Sequence, residues 1–406
     1  MLRCEIAVVG GGPAGSTAAR FLASAGRDVH LFEADPSPRD KVCGGGLRPS
    51  VLSAFPHVRD LSDRFLEATT TRGVMSTPGG PEISYTSSEG EPPIMYQARR
   101  SVFDRVLLDD AIDAGAQVHE GTKVVGAAGG EKGWTLRTED GTEVKARGVI
   151  GAGGAKCPLG RRMRCAARGT TSFPKERLAI AWAREFEVGE DFVDEAYGPE
   201  RLTRVDLREA NMTGYAWAFP KRDHVNVGFG ALVTDLRNGV GKFKGEAYAN
   251  RLVGMGLLPE QPTGGAWKAA PIPMGGPEGP VSRPGALSLG DGAGLVSPLS
   301  GDGIYYAIRS GELAASTMDD ALDRGDLTAN AMSVYRRAFK KEFGKELSIL
   351  MRVAKKLRTE PMEMLRRAER DPKIPPLVLQ MFQGEGDIRR TALRLYGKTV
   401  LAGLRR

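Results

Sequence analysis

The chain has 406 residues, 41% of them apolar and 26% charged, which is enough for two substantial domains with buried cores. No run approaches the roughly 18 apolar residues of a membrane-spanning helix, no apolar leader precedes the first strand, and Cys4, Cys43, Cys157 and Cys165 form no C-x-x-C pair; a cytoplasmic protein with free thiols and no metal or iron–sulfur centre is expected. The net charge of +7 is concentrated at the end, where residues 331–406 carry 19 Lys and Arg against 8 Asp and Glu, an excess of 11 that leaves the preceding 330 residues at −4.

Ile6-Ala-Val-Val9 reads as a buried strand and runs into Gly10-Gly-Gly-Pro-Ala-Gly15, which opens a small-residue helix from Pro13 to Ala25. Glycines at such a turn let backbone N–H groups and a helix N-terminus close on a pyrophosphate. The next apolar run, Val29 to Phe32, ends at Glu33, 18 residues after Gly15, where a ribose-binding acid belongs. The order strand, glycines, helix, strand and acid predicts a dinucleotide site made by Gly10, Gly12, Pro13, Ala14, Gly15 and Glu33. Arg39-Asp-Lys-Val-Cys-Gly-Gly-Gly46 follows, a loop whose three glycines permit close backbone approach to a flat ligand.

From Thr69 to Pro93 the composition predicts turns between short strands, Arg100 to Ala114 has helical periodicity, and Gln117 to Val125 returns as a strand. Val144 to Gly154 ends this first pass with an apolar strand entering Gly151-Ala-Gly-Gly154. Beyond about residue 170 longer strands appear, Leu178 to Phe186 and Val225 to Leu232, and between them Tyr215, Trp217 and Phe219 alternate as a strand with aromatics on one face requires. Ala286-Leu-Ser-Leu289 then leads into a second glycine signature, Gly290-Asp-Gly-Ala-Gly294, with Pro298 and Gly301-Asp-Gly-Ile304 after it. The two signatures together specify an FAD site. The fold class predicted is α/β (α+β): a Rossmann-type FAD-binding domain over 1–170 and 271–330, with a small insertion near 60–98, interrupted by a β-sheet-rich substrate domain over 171–270. A helical region, 331–406, completes it. There Leu347, Leu350, Met351, Ala354 and Leu357 share one face, and Leu393, Gly397, Val400, Leu401 and Leu404 another, with Arg390, Arg394 and Lys398 elsewhere; both stripes are expected to dock on a core. The basic tail carries no aromatic-interleaved or zinc-finger pattern, so nucleic acid is not expected as its partner, while an anionic lipid surface or a solvated face is.

On these motifs the chain resembles the geranylgeranyl reductase family, flavoproteins with the p-hydroxybenzoate hydroxylase type of fold. The resemblance rests on Gly10 to Gly15, Lys41-Val-Cys-Gly-Gly-Gly46, Arg100-Ser-Val-Phe-Asp104, Tyr215-Ala-Trp-Ala-Phe-Pro220 and Gly290 through Pro298 to Ile304. It implies that Arg100 holds the FAD phosphates or ribose, Asp291 the ribityl chain, and that Val124, Pro298, Gly301, Gly303 and Ile304 also border the cofactor. Cys43, Gly44, Gly45 and Gly46 would border the ring face, with Cys43, Tyr215 and Trp217 at the reacting double bond. The helix begun near Gly303 would aim its amides at the negative N1 edge of a reduced flavin. Gly153 departs from the family, which commonly has Asp in that position.

The implied reaction is saturation of prenyl double bonds by hydride from reduced FAD plus a proton, with Tyr215, Cys43 and a bound water all open as donors. The implied partners are a prenylated lipid or prenyl diphosphate, NADPH or a ferredoxin-like electron donor, and a membrane touched peripherally. A monooxygenase or halogenase shares the scaffold, but the strand Tyr-x-Trp-x-Phe-Pro differs from the halogenase-like Trp-x-Trp-x-Ile-Pro. A non-catalytic flavoprotein or lipid carrier would not need a glycine-lined approach to the reactive ring.

Overall fold

The computed structural model describes residues 2–209, 214–236, 241–359 and 361–403. Its first sheet places Leu2–Val9 at the centre of a parallel set, between Glu143–Gly151 and Val29–Phe32, with Ala286–Ser288 and Gln117–His119 outside them. Alternate residues of the central strand feed two cores, because successive side chains point to opposite faces. Ile6 and Val8 pack with the helices Pro13–Ser24 and Ile304–Asp323, whereas Ala7 and Val9 pack with Trp134, Leu136 and Met163. A parallel strand covered on both faces reads as a continuous apolar run, as Ile6 to Val9 does.

The strand expected over Gln117 to Val125 is in fact two. Gln117–His119 extends the parallel set, the chain turns at Gly121 (φ +66°), and Val124–Gly130 opens a hairpin with Gly133–Thr138. The second sheet is ordered Thr263–Gly264, Leu178–Glu187, His224–Leu232, Gly214–Pro220, Thr203–Leu207, Arg72–Ser76, Glu82–Thr86, and Lys268–Pro273 also pairs with Leu178–Glu187. The last two strands of that order come from the segment near 60–98, expected as an insertion of the FAD-binding domain. They join the other sheet because Met75 and Ile83 bury against Val205 and the C-terminal helices. A three-stranded sheet of Gly46–Leu47, Met95–Gln97 and Ala68–Thr70 connects the two regions.

The C-terminal region forms the helices Ala329–Thr359, Pro361–Arg370, Pro375–Gln383 and Ile388–Gly403. Leu347, Leu350 and Ala354 are buried as expected, but Leu393 is 63% exposed. The last helix packs instead through Ile388, Ala392 and Leu395, at i, i+4 and i+7, against Leu350 and Met381. That register turns Leu393 outward beside the exposed Arg389, Arg390 and Arg394; the side chains of Val400 and Leu401, and the whole of Leu404, lie outside the described residues.

Asp206 ties the second sheet to a helix. Fully buried, its carboxylate accepts hydrogen bonds from Arg204 Nε (2.9 Å), the Tyr248 hydroxyl (2.7 Å) and the Ser76 hydroxyl, which joins Thr203–Leu207, Arg72–Ser76 and the helix Gly241–Gly254. Burial alone would push this carboxyl up; the bonds from Arg204 and Ser76 outweigh it and hold the group below the usual carboxylate range. Removing one partner of a buried charged cluster costs about 3–5 kcal/mol, so Asp206→Asn is expected to lower the unfolding free energy by that order at pH 7, read from denaturant curves. A depressed folded pKa contributes stability above the unfolded value and loses it as pH falls through the folded one, so the difference between the two proteins should narrow below about pH 4.

Candidate active site

The central strand delivers the chain to Gly10, and the helix that begins at Pro13 carries no side-chain cap, which leaves its first amides turned toward the adjoining cleft. Gly15 lies beneath this turn, where a Cβ would strike the carbonyl oxygen of Gly10, so only glycine lets the helix pack this close to the strand end. Glu33, at the tip of Val29–Phe32, is 7% exposed and accepts the Gly11 N–H at 2.6 Å. It also accepts the Asp35 N–H at 3.3 Å and stands 3.5 Å from Arg39. Arg39 also bonds Asp104 at 2.9 Å, and its Nη2 lies 3.2 Å from where a Cβ on Gly12 would stand. A guanidinium is thus held directly over the glycine turn, the geometry a pyrophosphate requires.

Arg100 is buried and grips Asp104 through two bonds of 2.7 and 2.8 Å, while its guanidinium also contacts Cys43. Arg100 thus shares Asp104 with Arg39, and both arginines line the cleft.

The loop 39–46 is fixed from behind by the second sheet. Lys221 donates to the Gly44 carbonyl at 2.9 Å, and Asn226 donates to the Cys43 carbonyl at 3.1 Å and to Glu185 at 2.7 Å. Trp217 Nε1 in turn donates to Asn226 Oδ1 at 2.7 Å, so the indole that lines the cleft is locked in orientation by the network that holds the loop. Gly45 has φ +72°, and a side chain there would drive into the Ala98 carbonyl. Cys43 Sγ accepts the Gly45 N–H at 3.4 Å. Tyr215 donates its hydroxyl proton to the Ser300 carbonyl, and burial raises its phenol well above the usual range, so it stays neutral.

From the opposite side the second glycine signature forms a short turn, Gly290–Ala293, under which Arg164 donates to the Gly292 carbonyl at 2.8 Å. All these parts border one cleft of about 600 Å³, within the size range of small-molecule and cofactor sites. Every residue predicted for the site lines it (Gly10, Gly12, Pro13, Ala14, Glu33, Cys43 to Gly46, Arg100, Val124, Tyr215, Trp217, Gly290, Asp291, Pro298, Gly301, Gly303 and Ile304) except Gly15, which supports it from below. The uncapped helix start, Arg39 over the turn and the acid at the strand end fit the phosphates and ribose of FAD.

Sequence reasoning did not single out Arg39, Lys221, Asn226, Arg48 or Asp302. Nor did it anticipate the far end of the cleft, an apolar lobe walled by Ala179, Ala181, Ile272, Met274, Leu357 and Phe382. The last two come from the C-terminal helices, whose packing on the second sheet no local pattern announces.

Residues 3–198 match the FAD binding domain family. Menaquinone reductase of Mycobacterium tuberculosis is 32% identical over 348 residues, covering 78% of this chain and 76% of that protein. Digeranylgeranylglycerophospholipid reductase 1 of Methanothermobacter thermautotrophicus is 30% identical over 373 residues and 87% of both chains. The crystal structure of a geranylgeranyl bacteriochlorophyll reductase-like protein from Thermoplasma acidophilum superposes with a TM-score of 0.78 at 24% identity, over 98% of this chain and 100% of that one, and so shares the fold. With FAD as its cofactor and relatives at this identity along most of their length, the chain is an FAD-dependent oxidoreductase and belongs to the geranylgeranyl reductase family.

Proposed function

We propose that this protein saturates isolated carbon–carbon double bonds in the polyprenyl chain of a lipid. The observation that carries the reading is the continuity of one cleft, from the dinucleotide turn, past a pinned glycine loop, into an apolar lobe with an aromatic wall. Reduced FAD bound there supplies hydride. Glu33 and Arg39 would hold the ribose and phosphates, and Asp291, which lines the same cleft, would hold the ribityl chain. The Cys43 to Gly46 loop, with Lys221 and Asn226 behind it, sets how closely the reacting carbon approaches.

An isolated double bond needs a proton as well as hydride, and protonation builds cationic character on carbon. The Trp217 face stabilises such charge, since its indole is held against the cleft and shielded from water. The apolar lobe takes a long hydrocarbon in place of water, which fits the geranylgeranyl chains in the name of the Methanothermobacter relative. Electrons reach the cofactor from NADPH or a ferredoxin-like protein, and anaerobic titration with each identifies which.

Among the described residues no helix is long and apolar enough to cross a membrane. The outward face of the last helix, with Leu393 between Arg389, Arg390 and Arg394, supports peripheral contact with an anionic lipid surface.

Chemically reduced holoenzyme, under argon, is expected to add two hydrogens per double bond to menaquinone or to a geranylgeranyl lipid, read by mass spectrometry. Oxygen-dependent hydroxylation or halogenation of an aromatic compound, with no alkene reduction, would overturn this reading. Gly12→Val should abolish FAD binding by filling the space beneath Arg39, whereas Cys43→Ala and Trp217→Ala should purify yellow with turnover lowered about tenfold or more, or with an altered product pattern, as loss of a contact made chiefly in the transition state would give. Replacing Arg389, Arg390 and Arg394 together by Glu should abolish cosedimentation with anionic liposomes at low salt, since each basic residue near such a surface contributes about 1 kcal/mol; neutral liposomes are the control.

A further inference from the structure

One corner of the cleft is polar where the reading above requires only apolar surface. Asp302 lines the cleft between Gly301 and Gly303, and its Oδ1 accepts the Ile304 N–H at 3.1 Å, at the start of the helix Ile304–Asp323. Its Oδ2 is buried and without a hydrogen-bond partner. Arg48 Nε, equally buried and unpartnered, lies 3.8 Å from that oxygen. Arg48 is 6% exposed; its guanidinium stacks on the Tyr305 ring at 3.5 Å, bonds the Gln383 carbonyl at 3.5 Å and stands 3.7 Å from Glu346. Both Arg48 and Asp302 line the cleft.

The charges around this corner are unequal: one guanidinium faces Asp302, Glu346 and Glu385, with the phenols of Tyr305 and Tyr306 beside it. Burial pushes the Asp302 carboxyl up despite Arg48, and Glu346 and Glu385 add to the effect. The two phenols Tyr215 and Tyr306 already donate elsewhere, Tyr215 to the Ser300 carbonyl and Tyr306 to Glu346.

We propose that Asp302, held by Arg48, is the group that stores and delivers the proton for double-bond saturation; the assignment rests on the prenyl-reductase reading. The carboxyl O–H bond breaks as a C–H bond forms at one alkene carbon. Hydride, with its electron pair, passes from reduced FAD to the neighbouring carbon, so the alkene is reduced, FAD is left oxidised, and a carboxylate remains on Asp302. Arg48 and the Ile304 N–H stabilise that carboxylate. The proton is restored from bulk water, to which the Asp302 side chain is itself partly open at 16% exposure.

The test compares wild-type holoenzyme with Asp302→Asn, which keeps the shape and loses the acidic proton, and with Asp302→Glu. In single-turnover reactions of the reduced enzymes with menaquinone or geranylgeranyl diphosphate, followed as saturated product by mass spectrometry because the quinone ring alone can reoxidise the flavin, the Asn variant should retain FAD yet slow at least about 100-fold, the usual span of general-acid catalysis. The Glu variant should recover part of that loss. The wild-type rate should fall as pH rises and the acid form is lost, while the Asn variant's residual rate should be flat. Independently of any substrate, infrared titration should show a protonated carboxyl band that Asp302→Asn removes and that persists to higher pH than an ordinary aspartate's. A slowing of less than threefold, or no difference in that band, would overturn the proposal. Failure of the wild type on both lipids would instead sink the prenyl-reductase reading, and the band would then decide the protonation of Asp302 alone.

Discussion

Lys221 is completely buried, with its ammonium 2.9 Å from the Gly44 carbonyl and 3.6 Å from Glu185. An isolated ammonium in such a place would cost several kcal/mol, so the lysine is stable there only while the loop and the carboxylate stay in position. The same condition runs in reverse. A glycine-rich loop is entropically expensive to order, and this one holds its shape because a cation and an amide on the second sheet bind its carbonyls. The distance from the dinucleotide turn to the aromatic wall is therefore set by a contact between the two sheets and not by either sheet alone.

How much of this was readable in the chain depends on sequence separation. The turn, helix and acid between Gly10 and Glu33 are neighbours in sequence as in space, so their periodicity and spacing carry the geometry. The Tyr215, Trp217, Phe219 alternation was likewise legible, being a property of one strand. Lys221 and Gly44 are 177 residues apart, and nothing local marks either as the other's partner. Arg39 was visible as part of a loop but not as a phosphate-competent cation, because its place depends on how the loop returns over the turn. In the last helix a stripe through Leu393 and a stripe through Ile388, Ala392 and Leu395 both have helical spacing; packing against Leu350 and Met381 chose the second.

The cleft joins two kinds of surface that rarely share a wall. Toward Gly10 it offers backbone amides, Glu33 and Arg39; toward Phe382 it offers methyl groups and rings, interrupted by the Arg48–Asp302 corner. The C-terminal helices create the second character by closing the open side of the second sheet. Their packing explains why one sheet from the first half of the chain and one from the middle are both needed for a single chamber, and why the strands Arg72–Ser76 and Glu82–Thr86 leave the nucleotide-binding half to extend the other sheet.

Arg164 bears on more than local packing. Only 3% exposed, it bonds the carbonyls of Gly292 and Thr171, lies 3.8 Å from the centre of the Phe173 ring, and has no carboxylate paired with it among the described residues. Burial draws its guanidinium down to about 10. A buried cation held only by neutral carbonyls and a ring favours an anion nearby, and the Gly290–Ala293 turn above it borders the cleft proposed for FAD. Folding and cofactor loading are then thermodynamically linked: the ligand stabilises the turn, and the turn's cation favours the anionic ligand.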